Sequence, residues 1–432
     1  MFNVAVAQSG GPTAAINSSL AGVFSGASGC RDIDGVYGML NGIEGAIEGN
    51  YVDLSKLLTS RYDIDLLKRT PSTILGSCRY KLKDYREDSS DYEMIAETFS
   101  RLEIKAFFYI GGNDSMDTVS KLSRFASQVG SDIRFVGIPK TIDNDLILTD
   151  HTPGFASAAK YVASTVREIV LDSSVYHQKS VTIVELMGRH TGWLTAASVL
   201  ARRQKDDNPA LIYLPERPFL LEQFARDVDR ELTRRRSVVV CVSEGIKDPE
   251  GVFLCEYDEE RLAACLGREA VIADPFPRKE AMLDHFGHKM LTGCGKILER
   301  FVRERFGVKV RSAELNVSQR CCGMLASLTD IEEAEKAGRT GVRYAVEGQT
   351  GILTALVRRT AEASYQLDFC AVDVNKVCNQ EKNVPLSWIS GEGNDVTEEY
   401  LDYVLPLIQG SAAIPMRNGL PDYLYRRKKF SD

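Results

Sequence analysis

The sequence predicts an α/β fold built from two doubly wound domains, each with a mainly parallel sheet. Short apolar runs rich in β-branched residues alternate with stretches of helical periodicity along most of the 432 residues. Some of these runs, such as residues 238–242, are apolar at every position, which is typical of strands that a parallel sheet buries on both faces. A chain of this length is long enough to form two sizeable cores.

The predicted strands are the short apolar runs, taken in chain order. They comprise residues 3–8, 35–39, 106–110, 135–138, 181–186, 210–214, 238–242 and 308–315. Between them, helices are predicted at residues 13–26, from about residue 116, at 156–171 and at 221–235. In these segments the apolar residues recur on one face and the charges on the other. Such alternation indicates parallel sheets covered by helices on both faces.

The same alternation divides the chain into two domains. We predict that residues 1–154 and about 320–370 form the first domain, and that about 155–319 and about 371–432 form the second. Residues 247–306 are rich in charge and in helix formers, and they predict a helical insertion in the second domain. The sequence does not indicate a role for this insertion.

Composition and charge exclude several classes of function. The net charge of −7 argues against general affinity for nucleic acid, and no apolar run approaches the ~20 residues that span a bilayer. Residues 1–7 are too short and uncharged for a signal peptide, and they form the start of the first strand. The 10 cysteines are scattered without a Cys-x-x-Cys pair, which favours a reduced, cytoplasmic protein.

Two loops of the first domain are candidates for anion binding. The stretch QSGGPT at residues 8–13 follows the first strand and opens a helix. Backbone amides near Gly11 can therefore face a phosphate at the positive end of the helix dipole, although a plain tight turn explains these residues about as well. Arg79 ends the loop LGSCR at 75–79 and offers a planar guanidinium to phosphate oxygens, but most arginines are surface residues.

The stretch GGNDS at residues 111–115 follows a strand and precedes a helix. Gly112 lets the backbone approach a ligand closely. Asn113 and Asp114 are good helix caps, and they are also oxygen donors that suit a Mg²⁺ ion bound to phosphate. The surrounding pattern of strand, double glycine and helix start favours the second interpretation.

The stretch PKTIDND at residues 139–145 carries the strongest signal. Three Asp or Asn residues in a row after a strand form an ordinary turn in many proteins. The preceding Lys140 and Thr141 favour chemistry instead, because lysine is a compact cation for phosphate oxygens. A positioned carboxylate such as Asp143 can remove a hydroxyl proton while that oxygen attacks phosphorus.

Further strand ends of the second domain present polar groups that can hold a ligand. The candidates are Met187, Gly188 and Arg189 after the strand at 181–186, Glu244 after the strand at 238–242, and Arg311 and Arg320, nine residues apart around the strand at 308–315. Each alone is more typical of a structural residue. Parallel sheets nevertheless bring strand ends to one crevice, so the set predicts a binding site.

Seven short motifs in this order resemble the 6-phosphofructokinase family. They are SGG at 9–11, GSCR at 76–79, GGNDS at 111–115, PKTIDND at 139–145, MGR at 187–189, SEG at 243–245 and QR at 319–320. The resemblance covers residues 3 to about 350. It implies that the first domain binds the phosphoryl donor and the second the sugar phosphate.

Two positions indicate the donor. ATP-using members of the family carry Gly where this chain has Asp114 and Gly where it has Lys140, and both residues resemble the pyrophosphate-dependent branch. An Asp side chain occupies space and adds negative charge where the α-phosphate of a nucleotide would run, whereas Lys140 supplies positive charge for the two phosphates that remain. The implied reaction is reversible transfer of phosphate from Mg-pyrophosphate to the 1-hydroxyl of fructose 6-phosphate, a step of glycolysis and gluconeogenesis. The products are fructose 1,6-bisphosphate and phosphate.

The resemblance also implies a role for each motif residue. The catalytic residues would be Asp143 as general base, with Lys140 and Asp114, and the metal-binding residue would be Asn113. The donor-binding residues would be Gly11, Arg79, Gly112 and Lys140. The sugar-binding residues would be Thr141, Asp143, Asp145, Met187, Gly188, Arg189, Glu244, Arg311, Arg320 and Lys179.

Mg²⁺ is the implied cofactor, and a homodimer or homotetramer with a shared site is the implied assembly. Lys179 would reach the sugar phosphate across a subunit interface, although the spacing from Lys179 to Met187 is one residue longer than is common in the family. Asn113 stands where most relatives have a metal-binding Asp, so its amide oxygen would act directly or through water. The sequence leaves open the choice of dimer or tetramer, allosteric control, and activity on seven-carbon sugar phosphates.

Three other functions remain as alternatives. The nearest is an ATP-dependent 6-phosphofructokinase. A nicotinamide-dinucleotide kinase or a lipid kinase shares the Gly-Gly-Asp-type loop but lacks the later sugar-binding motifs in this order. A non-catalytic sugar-phosphate sensor, in which Asn113 marks the loss of the metal, is the third.

Overall fold

The computed structural model describes residues 1–267, 291–359 and 365–425 of the chain. Its strands are β1 (Phe2–Gln8), β2 (Ile33–Met39), β3 (Tyr51–Asp53), β4 (Ile104–Gly111), β5 (Arg134–Pro139), β6 (Ser180–Leu186), β7 (Leu211–Tyr213), β8 (Ser237–Ser243), β9 (Lys309–Glu314), β10 (Ile352–Arg358), β11 (Leu367–Asp373), β12 (Met416–Arg417) and β13 (Leu420–Pro421). Every predicted strand is confirmed, with its ends shifted by one or two residues.

The helices alternate with the strands through most of the described chain. They are α1 (Ile16–Ser28), α2 (Ile43–Glu48), α3 (Leu54–Leu57), α4 (Arg61–Arg69), α5 (Ser90–Arg101), α6 (Asn113–Gln128), α7 (Phe155–Ser173), α8 (Trp193–Ala196), α9 (Leu221–Arg234), α10 (Glu259–Cys265), α11 (Cys294–Phe306), α12 (Ser318–Cys321), α13 (Leu328–Val346) and α14 (Glu398–Val404). None of these helices is long and apolar enough to cross a bilayer.

The first compact unit contains Met1–Ala158, Arg320–Lys382 and the described residues from Pro406 onward. Its sheet has the strand order β11-β10-β5-β4-β1-β2-β3. The neighbours from β10 to β2 pair in parallel, whereas β3 and β11 are antiparallel edge strands. Apolar clusters cover both faces of the sheet, with α1 and α13 on one side and α5 and α6 on the other. This is the predicted doubly wound arrangement.

Helices α1 and α13 approach each other closely in this unit, and two glycines permit the contact. A Cβ on Gly22 would lie 2.1 Å from the carbonyl oxygen of Glu335, and one on Gly338 would lie 2.2 Å from that of Ser19. Both distances are far below a normal contact, so a larger residue at either position would force the helices apart. Together the two helices form one side of the apolar core that covers this face of the first sheet.

The second unit contains Ala159–Gln319 and Asn383–Leu405. Its sheet has the order β7-β8-β6-β9, and all three pairs are parallel. Glu185 is opposite both Val242 and Glu314, so β6, β8 and β9 reach their carboxyl ends at the same edge. Side chains of α9, α10 and α11 pack on one face of this sheet.

The predicted boundary near residue 371 is wrong for two stretches. Residues 371–382 and the described residues from Pro406 belong to the first unit, and only Asn383–Leu405 joins the second. Pairing of β11 with β10 attaches residues 371–382 to the first unit. A hydrogen bond of 2.6 Å from Ser327 Oγ to the carbonyl of Leu407 attaches the residues from Pro406 to the same unit. Aromatic contacts of Trp193 with Trp388 and Tyr400 fix the intervening residues to the second unit.

The predicted helical insertion at 247–306 is described only in part, because residues 268–290 lie outside the described ranges. Its described part contains α10 and α11 together with a short 3-10 turn (Leu254–Glu256). Helix α11 is not an appendage, since buried Leu298 and Phe301 pack into the core formed by β6 and β8. Those thirteen residues are an integral layer of the second unit.

Candidate active site

The carboxyl edge of the first sheet gathers the motif loops that the sequence predicts for the donor. Strand β1 lies between β2 and β4, so the chain order reverses at β1 and leaves a crevice above its end. Gln8 is opposite Ile110 and Gly111 is opposite Pro139, which puts the loops after β1, β4 and β5 side by side. The structure therefore places Gly11, Gly112 and Lys140 close together at this edge of the sheet.

Lys140 is the centre of this neighbourhood. Its side chain is 2% exposed, and its Nζ donates to the carbonyl of Gly11 at 2.8 Å. Gly10 has a φ of +72°, and a Cβ there would lie 3.3 Å from Lys140 Nζ, so glycine leaves room for the ammonium beside this loop. Burial lowers the pKa of Lys140 to about 8, although Asp143 and Asp145 act in the opposite direction.

Two arginines join Lys140 at the glycine loop. A Cβ on Gly11 would lie 3.3 Å from Arg320 Nη1, so this guanidinium rests directly against the loop. Burial lowers the pKa of Arg320, and the nearby charge of Arg79 adds to that effect. The positive charge of Arg79 also lowers the pKa of Lys140. Arg320 thus lies in the first unit with the donor motifs, and its predicted role in sugar binding stays a prediction.

The loop after β4 is shaped by its glycines. Gly112 is the residue before α6, and a Cβ on Gly111 would lie 1.9 Å from Ser115 Oγ, which excludes any larger residue there. Asp114 lies half-buried in the first turn of α6, where a carboxylate complements the helix dipole. The loop that carries Asp114 therefore borders the crevice, as the motif predicts.

Asn113 is engaged with the backbone of a distant segment. Its Nδ2 donates to the carbonyl of Gln380 at 2.6 Å, and its Oδ1 accepts from the amide of Asn379 at 2.6 Å. The amide therefore clamps residues 379–380 onto the start of α6. Only the remaining lone pair of Oδ1 is left for a metal, so this geometry gives little support to the prediction of direct ligation.

Hydrogen bonds at Asn144 and Thr152 hold the loop after β5 in one conformation. Asp143 receives support from Thr141, whose Oγ1 accepts from the Asp143 amide at 3.1 Å. Asn144 has a φ of +55°, and its Oδ1 accepts from the amide of Thr152 at 3.1 Å. Thr152 Oγ1 donates to the carbonyl of Thr141 at 2.7 Å. These bonds fix the residues on either side of Asn144, which are the two carboxylates Asp143 and Asp145.

Asp145 carries a buried oxygen that has no hydrogen-bond partner in the structure. That atom is Oδ1. Burial raises the pKa of Asp145 well above its ordinary value, and the charge of Asp143 raises it further. A carboxylate in this state gains from a nearby cation. The described residues contain no group of three or more His, Cys, Asp or Glu side chains placed to hold a metal. The arrangement still suits Mg²⁺, which commonly uses one or two carboxylates plus phosphate oxygens and water.

In the second unit, the turns after β6 and β8 are interlocked. Gly188 has a φ of +140°, and its amide donates to Glu244 Oε1 at 3.4 Å. Ser243 Oγ donates to the carbonyl of Gly188. A Cβ on Gly245 would lie 1.9 Å from the carbonyl oxygen of Arg189, so only glycine fits between the two turns. The structure thus brings together Met187, Gly188, Arg189 and Glu244, all at one sheet edge.

Gln319 supports this pair of turns, and the sequence analysis did not name it as a site residue. It is 2% exposed, and its Oε1 accepts from the amide of Met187 at 3.2 Å. The sequence feature that could have identified Gln319 is its position next to Arg320 in the QR motif. This bond holds the backbone of the turn after β6.

Arg311 and Lys179 lie apart from Met187, Gly188, Arg189 and Glu244, the sugar-binding candidates at the carboxyl edge of the second sheet. Lys179 is exposed and precedes β6, whereas Met187 follows that strand, so about 26 Å of extended chain separates them. Arg311 is opposite Thr182 and lines a small cavity with Lys309 and Tyr176 near the amino end of the sheet. Strand β9 ends between Arg311 and Arg320, and the two arginines belong to different units.

Known proteins are similar to this chain over most of its length. Residues 3–314 match the phosphofructokinase family. The chain is 38% identical over 425 residues to a pyrophosphate--fructose 6-phosphate 1-phosphotransferase of Methylococcus capsulatus, covering 98% of this chain and 95% of the relative. It is 39% identical over 425 residues to the protein of the same name from Xanthomonas campestris pv. campestris, again covering 98% and 95%.

A solved structure is similar over almost the whole length. The pyrophosphate-dependent phosphofructokinase of Nitrosospira multiformis superposes with a TM-score of 0.83 at 33% identity, covering 98% of this chain and 95% of that one. By sequence and by architecture, this chain belongs to the phosphofructokinase family.

Proposed function

We propose that the chain transfers a phosphoryl group reversibly from pyrophosphate to the 1-hydroxyl of fructose 6-phosphate. The products are fructose 1,6-bisphosphate and orthophosphate. The observation that carries the proposal is the buried Lys140 ammonium on the Gly10–Gly11 loop, in a chain whose Asp114 occupies the first turn of α6. The relatives described above are named for this activity.

The first unit would hold the donor. Lys140, Arg79 and the amides around Gly11 present positive charge to the phosphates, and Gly112 lets the backbone approach. Arg320 adds a guanidinium beside Gly11. Pyrophosphate lacks the adenosine that Asp114 would obstruct. Preorganised charge of this kind lowers the barrier because the transferring phosphoryl group needs neutralisation more than covalent help.

Asp143 would act as the general base. It accepts the proton of the 1-hydroxyl while that oxygen forms a bond to phosphorus. The bond from phosphorus to the bridging oxygen breaks, and orthophosphate leaves with the electron pair. Thr141 fixes the Asp143 backbone, and Lys140 stands near enough to influence the charge of the leaving group. General-base assistance of this type contributes roughly 10²–10⁴-fold.

A divalent metal, Mg²⁺ in this proposal, would be held chiefly by Asp145. Its buried Oδ1 has no hydrogen-bond partner, and a raised pKa shows that the site disfavours an uncompensated charge. The ion would neutralise phosphate oxygens when it is bound. Asn113, whose amide already clamps residues 379–380, would act at most through its second lone pair or through water.

The second unit would bind the sugar through Met187, Gly188, Arg189 and Glu244. We propose a homodimer or homotetramer in the cytoplasm, in which Arg311 and Lys179 serve the sugar phosphate of another copy. The support is their location: both lie near the amino end of β6, away from the turns of their own chain. Sedimentation of the purified chain tests the assembly, and a monomer would contradict it.

One coupled assay tests the donor. The wild-type chain is supplied with fructose 6-phosphate, Mg²⁺ and either pyrophosphate or ATP, and formation of fructose 1,6-bisphosphate is followed. We expect turnover with pyrophosphate and little with ATP, and an Asp143→Asn variant should lose turnover with pyrophosphate by at least about 100-fold. Preference for ATP would reject the donor assignment. Binding of fructose 6-phosphate without turnover on any donor or metal would favour a sensor.

A further inference from the structure

Lys382 lies in the first unit, beyond the motifs that define the family resemblance. Its Nζ donates to the carbonyl of Asp150 at 2.8 Å and to that of Thr149 at 3.2 Å. A third bond, of 3.4 Å, reaches Asn144 Oδ1. The backbone amide of Lys382 also donates to the carbonyl of Asp145 at 2.7 Å. One residue therefore bonds to four points of the loop between β5 and α7.

The bonding partner that matters most is Asn144. This residue lies between Asp143 and Asp145, has a positive φ, and uses its Oδ1 to accept from Thr152 as well as from Lys382. Its conformation therefore sets the direction in which the flanking carboxylates leave the backbone. Left-handed backbone at a non-glycine residue persists where surrounding contacts hold it. Lys382 supplies the cationic part of those contacts.

The segment that carries Lys382 is itself anchored. Asn113 bonds to the backbone of Asn379 and Gln380, and Asn379 Nδ2 donates to Asp117 Oδ1 at 3.4 Å. Residues 379–382 thus connect the start of α6 to the loop after β5. This segment therefore ties the helix start that carries Asp114 to the loop that carries Asp143.

Charge supports the same interpretation. Two carboxylates close together in a partly buried loop repel each other, and a cation behind the loop offsets that repulsion. Burial lowers the pKa of Lys382 to about 8, whereas the negative charges of Asp150 and Asp145 stabilise its ammonium and act in the opposite direction. Its ammonium faces two carbonyl oxygens and an amide oxygen of the loop.

Resting on the proposed function, we propose that Lys382 is a positioning residue for phosphoryl transfer. By bonding to Asn144, Thr149, Asp150 and the backbone of Asp145, it holds the loop in the conformation that aims Asp143 and Asp145. It contacts no reactant. Its loss should therefore reduce kcat while leaving the binding of fructose 6-phosphate almost unchanged.

The test uses three variants of the full chain. Lys382→Met keeps the apolar stem and removes the charge, and Lys382→Arg restores a cation. Lys376→Met is the matched control, because Lys376 is an exposed lysine of the same segment. We expect Lys382→Met to lower kcat by about 10- to 100-fold with the KM for fructose 6-phosphate within about twofold. Lys382→Arg should recover part of kcat, and Lys376→Met should match the wild type.

A second measurement is independent of activity. Hydrogen exchange of the peptide covering residues 141–152, recorded without substrates, should be faster in Lys382→Met than in Lys376→Met, while peptides of the second unit should exchange as in the wild type. Equal exchange at 141–152 or an unchanged kcat in Lys382→Met would overturn the proposal, as would equal losses in the Met and Arg variants. If the wild type fails to use pyrophosphate, the exchange result still decides the loop contact, and only the proposed function is rejected.

Discussion

Lys140 shows at the residue scale how burial prepares a group for its role. The sequence motif predicts its place, because a lysine directly after a buried strand emerges at the carboxyl edge of the sheet. The motif does not predict its pKa, since its burial depends on neighbours such as Gly10 and Gly11, which reach it from elsewhere in the chain. The lowered pKa of about 8 is therefore a property of the fold.

This pKa predicts a pH dependence for donor binding. Below about pH 8 Lys140 is protonated and attracts pyrophosphate, whereas above that value the free enzyme loses this charge. We expect kcat/KM for pyrophosphate to fall as pH rises through 8, approaching tenfold per pH unit, with the KM for fructose 6-phosphate much less affected.

Lys140→Arg provides the comparison, because arginine stays protonated across this range. Its kcat/KM for pyrophosphate should be lower than that of the wild type but nearly flat between pH 7.5 and about 9.5. A wild-type profile that stays level to the same pH would show that Lys140 does not carry the donor charge.

Other site residues were predictable to different degrees. The motif residues after β1, β4, β5, β6 and β8 all reach their expected sheet edges, because strand ends in parallel sheets converge. Arg320 begins the segment that returns to the first unit, as the predicted boundary near residue 320 has it, but sequence spacing does not reveal that its guanidinium rests against Gly11. Lys382 carried no sequence signal at all, because its partners are mostly backbone carbonyls more than 200 residues away.

At the scale of elements, the turns after β6 and β8 act as one structure. Glu244 accepts from Gly188, and Gly245 leaves room for the carbonyl of Arg189, so each turn depends on the other. The sequence predicts both turns from the strands before them. It does not predict that they interlock, because that depends on the parallel pairing of β6 with β8.

Removing the charge of Glu244 should weaken the binding of fructose 6-phosphate and leave the binding of pyrophosphate unchanged. We expect Glu244→Gln to raise the KM for fructose 6-phosphate by about tenfold or more, because a charged hydrogen bond to a sugar hydroxyl is replaced by a neutral one. The KM for pyrophosphate should change little. Glu250→Gln, at an exposed carboxylate of the same unit, is the control. Equal effects on both substrates would mean that Glu244 serves the fold rather than the sugar.

The elements that the sequence analysis missed have a physical explanation. Strand β3 has three residues, and β12 and β13 have two each, which is too short for a periodic pattern. Strand β11 is an edge strand with mostly half-buried residues, so it lacks a continuous apolar run. Strand β10 does carry such a run and was within reach of the same reasoning.

At the scale of the whole molecule, a buried charge network joins distant parts of the first unit. His151 is 0% exposed, and its Nδ1 and Nε2 each lie 2.8 Å from a carboxylate oxygen, of Asp150 and of Glu333 on α13. Arg358 of β10 bonds to Asp150, and Tyr365 bonds to Glu333. Burial alone would lower the pKa of His151, but the two carboxylates outweigh it and raise the pKa to about 9.

This network predicts how stability depends on pH. Because the folded-state pKa of His151 is above its ordinary value of 6.5, the stabilisation is complete below about pH 6.5 and is lost as pH rises through 9. The shift corresponds to roughly 3 kcal/mol. The unfolding temperature of the wild type should exceed that of His151→Gln clearly at pH 6, and the difference should shrink towards pH 9.5.

The difference between variant and wild type is the quantity to measure. Lys140 and Lys382 have lowered pKa values and act in the opposite direction over part of this range, but their contribution is common to both proteins. A gap in unfolding temperature that stays constant from pH 6 to about 9.5 would show that His151 is not held as a cation.

The first unit is assembled from three separate stretches of chain, and the last of them begins at Pro406. That unit therefore cannot be complete until the ribosome has synthesised the chain beyond Pro406. The second unit needs nothing later than Leu405, so it can complete its fold earlier in synthesis. Until β10, β11 and the residues around Lys382 emerge, β5 is an open sheet edge on a nascent protein, and that edge is where chaperone contact or misassociation would concentrate.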